Sequence, residues 1–286
     1  MSEVWSAEEH VDEKRATWLV RARFPEVAGD EVTLVSEGWD YAVFRVDGEW
    51  AFRFPRREVV VAGTEREIAV LPVLAERLAV GVPAPVFVGG PGDDFPWPFY
   101  GSRYLDGVEA TGRRVDPGTL GSALRALHAP ETFAEVGTAL PVDPLGRVDM
   151  DVRLSRLEEL GIDAPALVGA ARALPPARHT AVCHGDLHMR QLIVEGDALA
   201  GIVDWVDVCR SDPAVDLSVA WSTLDVADRP KFFAAYGEVS VETRVRARVV
   251  AAFLCAMLVD WARKEQVPDV LHAAAAGLRR AIEEEE

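Results

Sequence analysis

The reading of the chain turns on Ala181 to Trp221, AVCHGDLHMRQLIVEGDALAGIVDWVDVCRSDPAVDLSVAW. Three carboxylates, Asp186, Asp204 and Asp216, punctuate a segment that is otherwise largely apolar. Apolar runs at 192–194 and 199–203 flank Glu195-Gly196-Asp197, a turn signal, so the middle reads as a β-hairpin. Asp186 then lies on the loop entering the hairpin and Asp204 emerges at its far end. Two acidic groups delivered from opposite ends of one ribbon can converge, one to accept a proton and one to hold a divalent cation.

The spacing narrows the chemistry. Protein kinases carry H-R-D-x-x-x-x-N, in which Asp meets the acceptor hydroxyl and Asn ligates Mg2+, and a later D-F-G supplies a second metal ligand. Here His184-Gly185-Asp186 is followed at the same offset by Gln191, and thirteen residues later by Asp204. HGDLH, the hairpin, Ile202-Val203-Asp204-Trp205 and Asp212-Pro213-Ala214-Val215-Asp216-Leu217 together resemble the aminoglycoside and macrolide phosphotransferase family, relatives of choline kinase.

That resemblance implies an α+β chain of bilobal, protein-kinase-like fold. A small antiparallel-sheet N-lobe over 1–104 would cover the nucleotide, and a mostly helical C-lobe over 105–286 would carry catalysis and the acceptor. It implies Mg2+-dependent transfer of the γ-phosphate of ATP or GTP to a hydroxyl of a small molecule, an antibiotic of the aminoglycoside, macrolide or cyclic-peptide kind. Asp186 is then the general base or the group orienting the hydroxyl, and Asp204 a Mg2+ ligand. Gln191 stands where the family usually has Asn, and keeps the carbonyl ligand on a side chain one methylene longer. His184 is expected to brace the loop, His188 to meet substrate or loop backbone, and Asp216 to cap backbone N–H groups and anchor the loop. Asp207 reads as a solvated turn residue, and His128 as a capping residue at a helix C-terminus.

Upstream, VTLVSEGWDYAVFRVDGEWAFRFP alternates apolar and polar residues around an Asp47-Gly48 turn, giving strands near 32–36, 41–46 and 50–54. The turn Ser36-Glu37-Gly38-Trp39-Asp40 falls where kinases place a Gly-rich loop; it has one glycine, so phosphate contact would fall to backbone N–H groups or Ser36. Arg53 occupies the position of the kinase Lys, and a guanidinium can hold phosphate oxygens in bidentate fashion. The resemblance pairs it with Glu67, on a helix expected over about 60–79. It also makes Arg103-Tyr104-Leu105 the hinge, with the backbones of Arg103 and Leu105 meeting the purine edge. Helices are expected near 7–24, 117–128, 151–160, 164–173, 214–225, 228–236, 241–265 and 268–284.

Composition bounds the rest. The net charge is −17 and no Lys/Arg run offers a phosphate-backbone footprint, which argues against nucleic acid. A negative field favours cationic ligands, so an amine-bearing acceptor is expected. No apolar run is long enough to span a membrane, and MSEVWSAEEHVDEKR lacks the apolar core of a secretory signal. Cys183, Cys209 and Cys255 have no metal-type spacing and read as small buried residues in the cytoplasm. Glu283–Glu286 reads as a frayed, solvated helix end. Two other readings stay open at this point, a metabolic kinase for a sugar, amino alcohol or homoserine-like acceptor, and a nucleotide-binding pseudokinase. Oligomeric state is not legible.

Overall fold

The computed structural model describes residues 7–283, so all but the first residue of the Glu283–Glu286 run lies outside the described residues, as do the first six residues of the chain. The chain divides into two compact units, Met1–Glu76 with Val82–Leu105 and Arg77–Gly81 with Asp106–Glu286.

The first unit opens with α1 (Glu13–Arg23), which starts later than the apolar pattern suggests because Asp12 caps it, accepting from the Arg15 N–H at 2.7 Å. Strands β1 (Val32–Glu37), β2 (Tyr41–Val46) and β3 (Trp50–Pro55) follow, then α2 (Val61–Arg77), β4 (Pro85–Gly89) and β5 (Phe99–Arg103). The five strands form one antiparallel sheet in the order β1-β2-β3-β5-β4. Three residues, Asp47 to Glu49, join β2 to β3; Asp47 and Gly48 both take positive φ, 51° and 68°, and the Glu49 N–H donates to the Val46 carbonyl at 3.1 Å, which closes the turn. Alternation along the strands sends Phe44, Phe52, Phe54 and Phe99 into one aromatic core, where Phe54 and Phe99 stack at 4.7 Å.

The second unit contains β6 (Val108–Glu109), α3 (Pro117–Leu127), α4 (Pro130–Val136), α5 (Met150–Glu159) and α6 (Pro165–Arg172). Next come β7 (Ala181–Cys183), β8 (Leu192–Glu195), β9 (Ala198–Ile202) and β10 (Cys209–Ser211). Helices α7 (Ala214–Leu217), α8 (Val219–Ser222), α9 (Arg229–Tyr236), α10 (Val241–Lys264) and α11 (Pro268–Ile282) complete it. The expected hairpin is β8–β9, with β6 added as a third strand. β7 and β10 pair antiparallel, Cys183 opposite Cys209. The single helix expected over 214–225 is instead two short helices, parted at Ser218, whose hydroxyl donates to the Val215 carbonyl at 2.6 Å. Among the described residues no helix is long and apolar enough to cross a membrane.

Candidate active site

Strand pairing sets the loop that carries Asp186 beside the segment that follows Asp204. β7 delivers the chain into the loop 184–188, and antiparallel β10 draws Asp207 alongside it. Gly185 has φ +92°, and a Cβ there would collide with the Asp207 carbonyl oxygen, so the close approach requires glycine. At the hairpin mouth the Val203 N–H donates to the Gln191 carbonyl at 2.9 Å, and the Val203 carbonyl accepts from His184 Nε2 at 2.9 Å. Val203 therefore ties the loop, Gln191 and the residue after it, Asp204, to one point. Asp204 sits at φ +64°, a left-handed conformation that Asp tolerates better than most residues.

The loop is held from behind by Asp216 on α7, which is fully buried. Its Oδ2 accepts from the His184 N–H at 2.7 Å and its Oδ1 from the Gly185 N–H at 3.1 Å. Burial alone would raise its pKa; the His128 hydrogen bond, the two histidines and the loop amides outweigh that and hold it below the usual carboxylate range. The His128 backbone N–H does cap α3, but the ring adds more than a cap. Its Nε2 meets Asp216 Oδ2 at 3.0 Å and its Nδ1 meets the Tyr236 hydroxyl at 2.9 Å. The His184 ring packs on Trp205 at 4.6 Å, and its Nδ1 accepts from the Asp186 N–H at 3.3 Å. His188 Nδ1 accepts from the Arg190 N–H at 3.3 Å, leaving Nε2 3.8 Å from Asp186 Oδ2; burial drives its pKa down to about 3, so the ring is neutral.

Asp186 keeps 29% of its side-chain surface, yet the protein crowding it raises its pKa, against the pull of Arg147 and His184 and with a push from Asp204. Arg147 is the residue the sequence did not offer. Its Nη1 donates to Asp186 Oδ1 at 2.7 Å and its Nη2 to Asp207 Oδ2 at 2.6 Å. Asp207 does lie in a turn, but it is not left to solvent: it shares a guanidinium with Asp186, and burial raises its pKa while Arg147 opposes. Gln191 is buried, and its Oε1 has no hydrogen-bond partner among the described residues. An unpartnered amide oxygen and, one residue beyond its backbone partner Val203, the carboxylate of Asp204 are oxygen donors of the kind Mg2+ takes, so the residues present fit that cation.

In the first unit, Arg53 Nε lies 3.5 Å from Glu67 Oε2, with Glu67 fully buried. The Arg53 guanidinium covers the Tyr41 ring at 3.6 Å, and the Tyr41 hydroxyl meets Thr64 Oγ1 at 3.1 Å; burial and Glu67 raise the Tyr41 pKa. Ser36 is exposed and belongs to β1, not to the turn, which is closed by the Gly38 N–H donating to the Tyr41 carbonyl at 2.9 Å. Arg103 ends β5, its guanidinium over the Trp50 ring at 4.2 Å and paired with Glu49; Leu105 is the last residue of this unit.

Comparison with known proteins bears on the family and the fold. The family described as "Phosphotransferase enzyme family" matches residues 31–249. No curated protein matches the chain in sequence. Among solved structures, the GDP and kanamycin complex of APH(2")-IIia is 21% identical with a TM-score of 0.69, covering 93% of this chain and 97% of that one. Macrolide 2'-phosphotransferase MphH from Brachybacterium faecium is 22% identical with a TM-score of 0.63, covering 96% and 99%. The streptomycin-ATP-APH(2")-IIa ternary complex is 18% identical with a TM-score of 0.59, covering 94% and 99%. At these identities the structural likeness is one of fold, α+β and protein-kinase-like. The family match spans well over half of the sequence, and the chain belongs to the phosphotransferase enzyme family.

Proposed function

We propose that the protein transfers the γ-phosphate of ATP or GTP to a hydroxyl of a small-molecule antibiotic, of the aminoglycoside, macrolide or cyclic-peptide kind. The observation that carries this reading is the tie of Val203, the residue before Asp204, to the Gln191 backbone carbonyl and to His184 on the loop of Asp186, with the Gln191 side-chain oxygen buried and unpartnered. Solved relatives with GDP, with ATP and with antibiotics support it.

Asp204 and Gln191 would hold Mg2+, which when bound offsets charge on the nucleotide's phosphates. Asp186 Oδ2, with Oδ1 already fixed by Arg147, orients the acceptor hydroxyl and takes its proton as the new O–P bond forms. The bond from the γ-phosphorus to its bridging oxygen breaks, and the nucleoside diphosphate leaves. Most of the acceleration comes from positioning and charge, since the transition state asks little covalent help of the protein. Arg53, steadied by Glu67, is assigned to the nucleotide's α- and β-phosphates, with backbone of the turn after Ser36 as a further contact. The Arg103 and Leu105 backbones are assigned to the purine edge. His184 and Asp216 act by bracing the loop. Residues 1–104 then serve as the nucleotide-covering lobe and 105–286 as the catalytic lobe. The free, buried Cys183, Cys209 and Cys255 suit a reducing cytoplasm.

The test is nucleoside diphosphate release by purified protein with Mg2+, ATP or GTP, and an antibiotic panel, the phosphorylated product being identified by mass. Acceptor-dependent release is expected. Nucleotide binding with no stimulation by any hydroxyl compound would favour a pseudokinase instead. A resistance screen in a sensitive host separates an antibiotic acceptor from a metabolic one.

A further inference from the structure

The turn between β1 and β2, assigned above to the nucleotide's phosphates, has by itself the wrong charge for that work. Ser36-Glu37-Gly38-Trp39-Asp40 holds two carboxylates and no cation, so a triphosphate brought against it would be repelled. Glycine does not shape it either. Gly38 takes no left-handed φ, and apart from its chain neighbours a Cβ there would meet nothing nearer than the Tyr41 carbonyl oxygen at 3.9 Å. Both the shape and the charge of the turn must come from outside it.

Two consecutive arginines directly after β3 supply them. The Arg56 N–H donates to the Asp40 carbonyl at 2.8 Å, one step past the last β2–β3 pair, Tyr41 and Pro55. The Arg56 carbonyl accepts from the Glu8 and Glu9 N–H groups at 2.8 and 3.0 Å, so its main chain is tied on both sides. From there its Nη1 donates to the Gly38 carbonyl and its Nη2 lies 2.5 Å from Glu37 Oε1. Arg57 is buried, and its Nε donates to Asp40 Oδ1 at 2.8 Å, with Nη2 on the same oxygen. Each carboxylate of the turn therefore has its own guanidinium. The side chains of Arg56 and Arg57 keep 13% and 10% of their surface, whereas Glu37 and Asp40 keep 44% and 37%. An anion arriving at the turn meets the carboxylates, and the guanidiniums act from behind them.

We propose that Arg56 and Arg57 are positioning residues for the nucleotide's phosphates: acting through Glu37 and Asp40, they hold the turn and mask its two carboxylates, which lets a turn without a glycine-rich sequence face a triphosphate. The inference rests on the phosphotransfer reading above, which gives the turn its phosphate contact. It concerns nucleotide binding and needs no turnover to be measured.

The test is displacement of mant-labelled ATP or GTP from the full chain, with Mg2+ present, by the unlabelled triphosphate and by its nucleoside. Arg57→Gln leaves Asp40 unmasked, so triphosphate binding should weaken by about tenfold or more and nucleoside binding by less than about threefold. A merely structural role for Arg57 would loosen both ligands alike. Arg57→Gln combined with Asp40→Asn leaves no bare charge on the turn and should bring triphosphate binding back to within about threefold of the parent. Unchanged triphosphate binding in Arg57→Gln, an equal loss for the nucleoside, or a double variant as weak as the single one overturns the proposal. The last outcome would mean that Arg57 reaches the phosphates itself. If a thermal melt shows Arg57→Gln unfolded, Arg56→Gln with and without Glu37→Gln is read by the same criteria. Failure of the phosphotransfer reading shows separately, as bound nucleotide that no acceptor causes to be consumed; a parent protein that binds no nucleotide overturns both.

Discussion

At the scale of single residues, Asp186 is caught between opposing demands. In the proposed role of base it must stay ionised to take a proton, and crowding by protein works against that while Arg147 works for it. Asp186→Asn keeps the shape and removes the acceptor, so kcat should fall by about 10²–10⁴ with nucleotide affinity changed by less than about threefold. Steady-state kinetics beside a nucleotide titration checks this, and a fully active variant would remove Asp186 from the mechanism. The raised pKa has a sign that can be read in a pH profile. The ionised form is lost as pH falls, so the acidic limb of kcat/KM should lie above the ordinary Asp value of about 3.9. Because Arg147 pulls the pKa down, Arg147→Gln should move that limb to higher pH; a shift the other way would mean the limb belongs to another group. Asp186, Gln191 and Asp204 could be singled out from the sequence because the motif that nominates them is one of local spacing. Arg147 was not, since its partners lie 39 and 60 residues further along the chain and Leu145-Gly146-Arg147 carries no periodicity.

At the scale of elements, the loop 184–188 keeps its shape because α7 and α3 reach it through Asp216 and His128. Removing the charge of a fully buried carboxylate that satisfies two amides leaves part of that network unpaired. Asp216→Asn should cost about 2–4 kcal/mol, measured by urea unfolding. The pH dependence follows from its lowered pKa. Asp216 contributes stability above its unfolded pKa, about 3.9, and that contribution disappears as pH falls through the lower folded value. The variant should therefore lie furthest below the parent near neutrality and approach it in acid. A constant gap from pH 7 to pH 2 would contradict this origin. The hairpin was readable from its apolar runs and turn, whereas β6, β7 and β10, at two or three residues each, are too short for any alternation to register. They exist because neighbouring chain supplies partners, and β7 and β10 are what carry Asp207 to Gly185. The break between α7 and α8 hid likewise, because Ser218 withdraws a backbone carbonyl by a side-chain bond that an apolar pattern does not record.

For the molecule as a whole, Gln191 poses a trade between stability and use. A buried carbonyl oxygen without a partner costs about 1–3 kcal/mol, and nothing in the described protein repays it. If a Mg2+-bearing nucleotide repays it, the free protein is carrying a penalty that ligand relieves, and the two states should respond oppositely to one substitution. Gln191→Met keeps the length of the side chain and removes the orphaned acceptor. The free protein should melt higher by a few degrees, the shift about 1 kcal/mol produces in a chain of this size. Saturating Mg2+ and nucleotide, which should stabilise the parent by about 2.7 kcal/mol at a hundredfold excess over Kd, should stabilise the variant much less. Asp204→Asn should share the second effect without the first, because no orphaned group is removed. Melting curves of the three proteins, each with EDTA, with nucleotide and EDTA, and with nucleotide and Mg2+, separate these outcomes. A Gln191→Met protein that gains the full Mg2+-dependent increment would take Gln191 out of the proposed metal site and leave Asp204 as its remaining candidate.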